Sequence, residues 1–407
     1  MNARRGSWPI GVLRIAATGL AATVMIGVVA WATMQLTHAI AGGEALRYPW
    51  EAMRAFLFRG EDPYRVLAFL YGRARQDGVP FSPQIYPLHV ALVWFVPLAL
   101  VRDFATARAV ALVGGVIGLL AAARLLAHSA GWRPQRWEKA LLVLAAVGGY
   151  GAVWALWRAD VAVMVAVLST VALAALLDGR DGVAGALLAL TWVRPELAAG
   201  ATVWALVWAA SRRRWRVWGG FWGLTMALLA VSWWFLPSWP LALLRLRMVF
   251  PPASSPWLAL AAAIPGVGKQ ATLVFRLVVV LIVGGEWIAA WGSIATQAGW
   301  VLALTLWGIL LAGSRIMVAD QVVLVPLLVL IMAYWVTHWR RYGRQAAALL
   351  CVLWLLPLTW WIEDLLTPQQ PSLGEYLLLP LMIGVLFYTI RWWTTRPRAA
   401  LPFLPEE

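Results

Sequence analysis

Runs of 18 or more mostly apolar residues recur along the whole of this 407-residue chain. A helix needs about 20 such residues to cross the hydrocarbon core of a bilayer. Backbone polar groups in lipid must be satisfied within the segment, so a chain built of such runs folds as helices rather than open sheets. Charge supports the same reading. Only 13% of residues are charged, against about a quarter in a soluble domain, and mean hydropathy is +0.76. The sequence therefore predicts an all-α fold, a polytopic transmembrane helical bundle of about 11–13 spans or re-entrant segments. Residues 1–407 form one integral-membrane domain in this reading.

The first run, Leu13–Leu36, is too long for the apolar core of a signal peptide and reads as a retained anchor. The charge balance is +15, with 33 Lys and Arg against 18 acidic residues. The basic residues gather in short loops such as Arg212–Arg216 and Arg340–Arg344, as cytoplasmic loops of multispanning proteins do. The expected location is the plasma membrane, with both termini cytoplasmic. Basic residues scattered between apolar spans do not make a nucleic-acid-binding face. The single cysteine, Cys351, excludes an internal disulfide and a cysteine metal cluster. No cofactor is expected and no divalent metal is indicated. Phosphate-binding glycine loops, HExxH and GxSxG motifs are absent from the sequence.

One stretch breaks the apolar pattern. Glu44 to Pro97 carries five of the acidic residues, Glu44, Glu51, Glu61, Asp62 and Asp77. Residues 37–84 are expected as an external polar insert. Within it, Pro49–Arg59 and Tyr64–Arg75 have the helical alternation of an interfacial helix, with Gly60 as a break. Residues 237–270 form a second external loop. Strict alternation of spans would place Arg133, Arg136 and Lys139 outside and Asp160 inside, against the charge bias. Reading 85–101 and 183–210 as re-entrant, the latter turning at Arg194-Pro195, removes the conflict and turns Asp160 and Arg194 toward the insert.

Ionisable residues at membrane depth are costly and mark candidate sites. Four sets stand out. Glu44, Glu51 and Asp62 in the insert could act as a general base on an acceptor hydroxyl; solvated loop charges are the plainer account of any one of them. Tyr64, Tyr86 and His89 could bond a polar ligand, or Tyr86 could be an ordinary interfacial tyrosine. Arg194 has a planar fork suited to phosphate, or it pairs internally with Glu196 or Asp160. Arg315 and Asp320 could hold a second phosphate oxygen and a sugar hydroxyl, or form a loop salt bridge.

These residues carry a resemblance. Gly60-Glu61-Asp62-Pro63-Tyr64, Ile85-Tyr86-Pro87-Leu88-His89 and Val96-Pro97-Leu98-Ala99-Leu100 resemble the ordered motifs of the GT-C polytopic glycosyltransferases, nearest to the family 87 (DUF2029) type. Arg180–Leu190 and Val193-Arg194-Pro195-Glu196 continue the likeness. The resemblance implies an integral-membrane transferase. Its donor would be a polyprenyl-phosphate sugar, typically mannose, and its acceptor a lipid or glycan on the outer face. A carboxylate would serve as base and the anomeric centre would invert. Membrane lipids would be its surroundings, and no nucleic acid is implied. The family's aspartate after the first span is replaced here by the Glu44-Ala45-Leu46-Arg47 segment, and its Lys by Arg194. Two functions follow as expectations: sugar transfer with Glu44, Glu51 or Asp62 as base, or a catalytically degenerate structural or lipid-binding subunit of a membrane complex. A transporter is the third, without the inverted repeats that would support it.

Overall fold

The computed structural model describes residues 42–77, 83–250, 268–313, 317–359 and 373–395. Among these residues the chain is all-helical and contains no strand. The polar insert forms two helices, α1 (Glu44–Arg59) and α2 (Pro63–Gln76). Both boundaries follow from local chemistry. Gly60 ends α1 in the left-handed region at φ 67°, where a side chain would be strained. The Glu61 and Gly60 amides close the last turn on Ala55 and Phe56 carbonyls. Asp62 then caps α2 by accepting from the Tyr64 amide at 2.8 Å, and Pro63 fills the first helical position.

Helix α3 (Leu88–Ala99) starts and ends against the insert. The Trp50 indole donates to the Leu98 carbonyl at 2.9 Å, and Arg54 donates to those of Ala99 and Val101. A cation on the last carbonyls of a helix also complements its dipole. Helix α4 (Phe104–Ser129) follows, with 26 residues. The apolar stretch 139–157 falls into two helices, α5 (Arg136–Val147) and α6 (Tyr150–Trp157), bent by 60°. The Trp354 ring presses on Gly149, where a side chain would collide with it.

Helix α7 (Ala162–Leu177) is followed by a helical hairpin. Its arms are α8 (Asp181–Leu190) with a 3₁₀ turn at Thr191–Val193, and α9 (Pro195–Ser211). Arg214 pairs with Asp181 at the open end of this hairpin, and Arg194-Pro195 forms its tip. Helix α10 (Trp215–Phe235) returns to the insert, where Phe235 meets Phe56. The expected second loop at 237–270 holds a helix, α11 (Trp239–Val249). Residues 251–267 lie outside the described part.

Then follow α12 (Gly268–Ala289), α13 (Ala295–Ala312), a 3₁₀ turn at Val318–Leu324 continuing into α14 (Val325–His338), α15 (Arg340–Leu355) and α16 (Leu373–Thr395). The core surrounds the Val318–His338 stretch, 94% of which is buried in its most apolar window, whereas α12 is peripheral at 11%.

Five helical stretches among the described residues are long and apolar enough to cross a membrane, or six if the bent α5–α6 pair is one span. That is fewer than the 11–13 spans or re-entrant segments expected. Among the described residues, other apolar runs form shorter helices such as Leu88–Ala99 and Asp181–Val193; the expected first span, Leu13–Leu36, lies outside the described part.

Candidate functional site

The expected site residues fall into two places. The first is the cleft between α1 and α2. Each helix buries one face and leaves the other open. On α2 the buried face is Tyr64, Leu67, Tyr71 and Ala74, at helical spacing. Its other face, with Arg65, Val66, Phe69 and Leu70, joins Trp50, Glu51, Arg54, Phe58, Arg59, Glu61 and Asp62 around a half-open cleft of about 930 Å³.

The charges of the cleft differ in their freedom. Asp62 is engaged as the cap of α2. Glu61 pairs with Arg59 at 2.6 Å. Glu51 has only a 3.4 Å contact with Arg47, itself 63% exposed. Arg54 is held by the α3 carbonyls and lies over the rings of Trp50 and Phe58. Arg65 is exposed and has no ion-pair partner among the described residues. Glu44 opens α1; its side chain, like Arg315, lies outside the described part.

The second place is buried inside the bundle. Asp160 lies in the break between α6 and α7, after Ala159 in the left-handed region at φ 51°, a backbone state that costs a non-glycine residue about 1–3 kcal/mol. Arg194 lies at the tip of the α8–α9 hairpin, and Asp320 in the 3₁₀ turn ahead of α14. One guanidinium joins them: Arg194 donates to Asp160 at 3.0 Å and to Asp320 at 2.9 Å. Asp160 further accepts from the Ala162 amide at 2.9 Å and from Gln84 Nε2 at 2.7 Å. Asp320 accepts from the Met317 amide at 2.7 Å. Arg194 is 8% exposed and both carboxylates 0%. Three polar breaks in otherwise apolar helices thus satisfy one another, as backbone and charge at such depth must.

Of the two internal partners expected for Arg194, the structure has Asp160. Glu196 pairs with Arg247 of α11 at 3.1 Å, and Arg247 also donates to the Ile85 carbonyl at 3.0 Å. Asp320 is a buried partner of Arg194, not a loop group free for a sugar hydroxyl. Of the remaining candidates, Tyr64 and Tyr86 are buried links between the two places. Tyr64 donates to the Tyr86 carbonyl at 2.9 Å. Tyr86 donates to the Gln84 side chain. His89 is buried with its ring 5.4 Å from that of Trp239. Burial pushes the Tyr64 and Tyr71 phenols well above their ordinary value of 10.0, so both stay protonated donors.

Sequence reasoning missed Gln84, a lone amide in an unremarkable loop, and Arg108 of α4. Arg108 is 1% exposed, lies 4.9 Å from the Trp157 ring centre and donates to the Trp157 carbonyl at 3.2 Å. An Arg inside the apolar run 105–127, which also holds Arg124, was the signal for it. No group of three or more His, Cys, Asp or Glu among the described residues is placed to hold a metal ion. No protein-family model matches the chain, and no curated protein matches it either.

Proposed function

We propose that this protein transfers a sugar, mannose or another hexose, from a polyprenyl-phosphate donor to a hydroxyl of a lipid or glycan on the outer face of the membrane. The observation that carries the reading is the α1–α2 cleft, where carboxylates and guanidinium groups meet at the rim of an apolar bundle. In this reading Glu51 is the base, since of the three cleft carboxylates it is the least engaged. It takes the proton of the acceptor hydroxyl as that oxygen bonds to the anomeric carbon. The bond from that carbon to the phosphate oxygen breaks, and its electron pair leaves on the polyprenyl phosphate. Arg65 and Arg59 offset the charge of the departing phosphate, while Phe58 and Phe69 line the path of its apolar chain.

The test uses the full chain in lipid nanodiscs with a radiolabelled mannosyl polyprenyl phosphate and a lipid-linked acceptor. Release of polyprenyl phosphate that depends on acceptor supports the reading. Undiminished turnover in Glu51→Gln removes Glu51 as base, and undiminished turnover in Asp62→Asn as well removes the cleft from the chemistry.

A second reading is favoured by the pairing of Glu61 and the capping role of Asp62. In it the chain is a catalytically degenerate subunit of a membrane complex that holds an anionic lipid in the same cleft. Saturable binding of the donor with no turnover under any acceptor would select it.

A further inference from the structure

The buried charge cluster has no task in the transfer reaction. Both terminal nitrogens of Arg194 are taken by carboxylates, and its exposure of 8% leaves no face for a ligand. The cluster nevertheless continues outward. Gln84 binds Asp160 through its amide nitrogen and receives the Tyr86 hydroxyl on its amide oxygen. The carbonyl of Gln84 accepts from Tyr71 at 2.8 Å, and that of Tyr86 from Tyr64 at 2.9 Å. Both tyrosines lie on the buried face of α2, whose other face walls the cleft. The side chains of Gln84 and Tyr86 thus face the cluster while their backbone carbonyls hold α2, so these two residues join the centre of the bundle to the cleft wall.

We infer that Asp160, Arg194 and Asp320 are positioning residues that set α2, and with it the cleft, through Gln84. Three charges sharing one buried geometry tolerate few alternatives, because any displacement leaves a charge uncompensated. Helix α2 has 14 residues, too short to hold its own place in isolation. Its apolar contacts oppose its removal but resist rotation weakly, while two phenol hydroxyls aimed at fixed carbonyls define the rotation. That rotation decides where Arg65 and Phe69 point. The inference holds whether or not the cleft performs transfer, since its readout is the order of α2.

The experiment is hydrogen exchange on the full chain in nanodiscs, read over residues 63–76 and over 181–211. Gln84→Leu removes the link and leaves the three charges together. Arg194→Lys keeps the charge but cannot span both carboxylates. Both variants should speed exchange in 63–76 by about tenfold or more. Gln84→Leu should leave 181–211 at its original rate. Asp181→Asn, which opens the Arg214 clamp at the far end of the hairpin, should do the reverse. Retained protection of 63–76 in either Gln84→Leu or Arg194→Lys overturns the inference. So does a loss of protection in Gln84→Leu that spreads evenly over the bundle.

Discussion

The cleft and the buried cluster use the same residue types, aspartate or glutamate with arginine, to opposite ends. In the cleft the groups are half-exposed and loosely matched, and Arg65 has no partner among the described residues. In the cluster every charge faces another at hydrogen-bond distance and is almost wholly buried. The difference is one of environment. A charge in water gains little from a partner and remains available to a ligand. A charge deep in the bundle is stable only while its partners hold it, and so becomes part of the frame.

Substitutions should separate the two. The largest effect is expected from Asp160→Ala or Asp320→Ala, which strands Arg194 in the interior and should destabilise the protein by about 3–5 kcal/mol. Thermal unfolding in detergent reads it, and an unchanged midpoint would place the cluster in water. Glu51→Gln is expected to reduce transfer by about 10²–10⁴-fold while leaving the unfolding midpoint unmoved; loss of both together would make Glu51 a structural residue. Asp62→Ala should cost about 1 kcal/mol through the lost cap, and Asp62→Asn should restore most of it.

The buried phenols give a pH dependence with a definite sign. Tyr64 and Tyr71 hold their protons in the fold more firmly than in the unfolded chain. Stability is therefore complete below the ordinary tyrosine value and falls as pH rises above it. Tyr71→Phe should flatten that alkaline decline, measured by unfolding across the alkaline range. The smallest effect belongs to the surface pair Arg47–Glu51: Arg47→Ala should alter stability by less than about 0.5 kcal/mol.

Much of the fold was legible because it is written locally. Gly60-Glu61-Asp62-Pro63-Tyr64 contains a helix stop, a cap and a helix start in five residues; the second insert helix lies close to its expected bounds, whereas the first ends as expected at Arg59 but begins at Glu44, with Pro49 inside it rather than at its start. Long apolar runs such as 217–236 and 297–313 also match the helices Trp215–Phe235 and Ala295–Ala312. The Gly148-Gly149 pair marks a break, but the ring that fills the space beside Gly149, Trp354, arrives from a distant helix. The charge cluster was seen only in parts. Arg194, Asp160 and Asp320 each stood out as charges in apolar surroundings, but their pairing joins positions up to 126 residues apart, and no periodicity records that. The GT-C likeness remains a proposal resting on motif order. In the structure, the most recognisable of those motifs has a local folding role as well.

That motif also determines how the cleft can respond to what enters it. Its two walls are rigid rods joined by three residues, Gly60, Glu61 and Asp62, with the last fixed as a cap. There is no slack loop to take up a wider guest. The angle between the walls is set at Gly60 and Glu61, with Gly60 in the left-handed region at φ 67°. The spacing of the two walls is therefore set at this short joint, and the charges along them line the space it leaves.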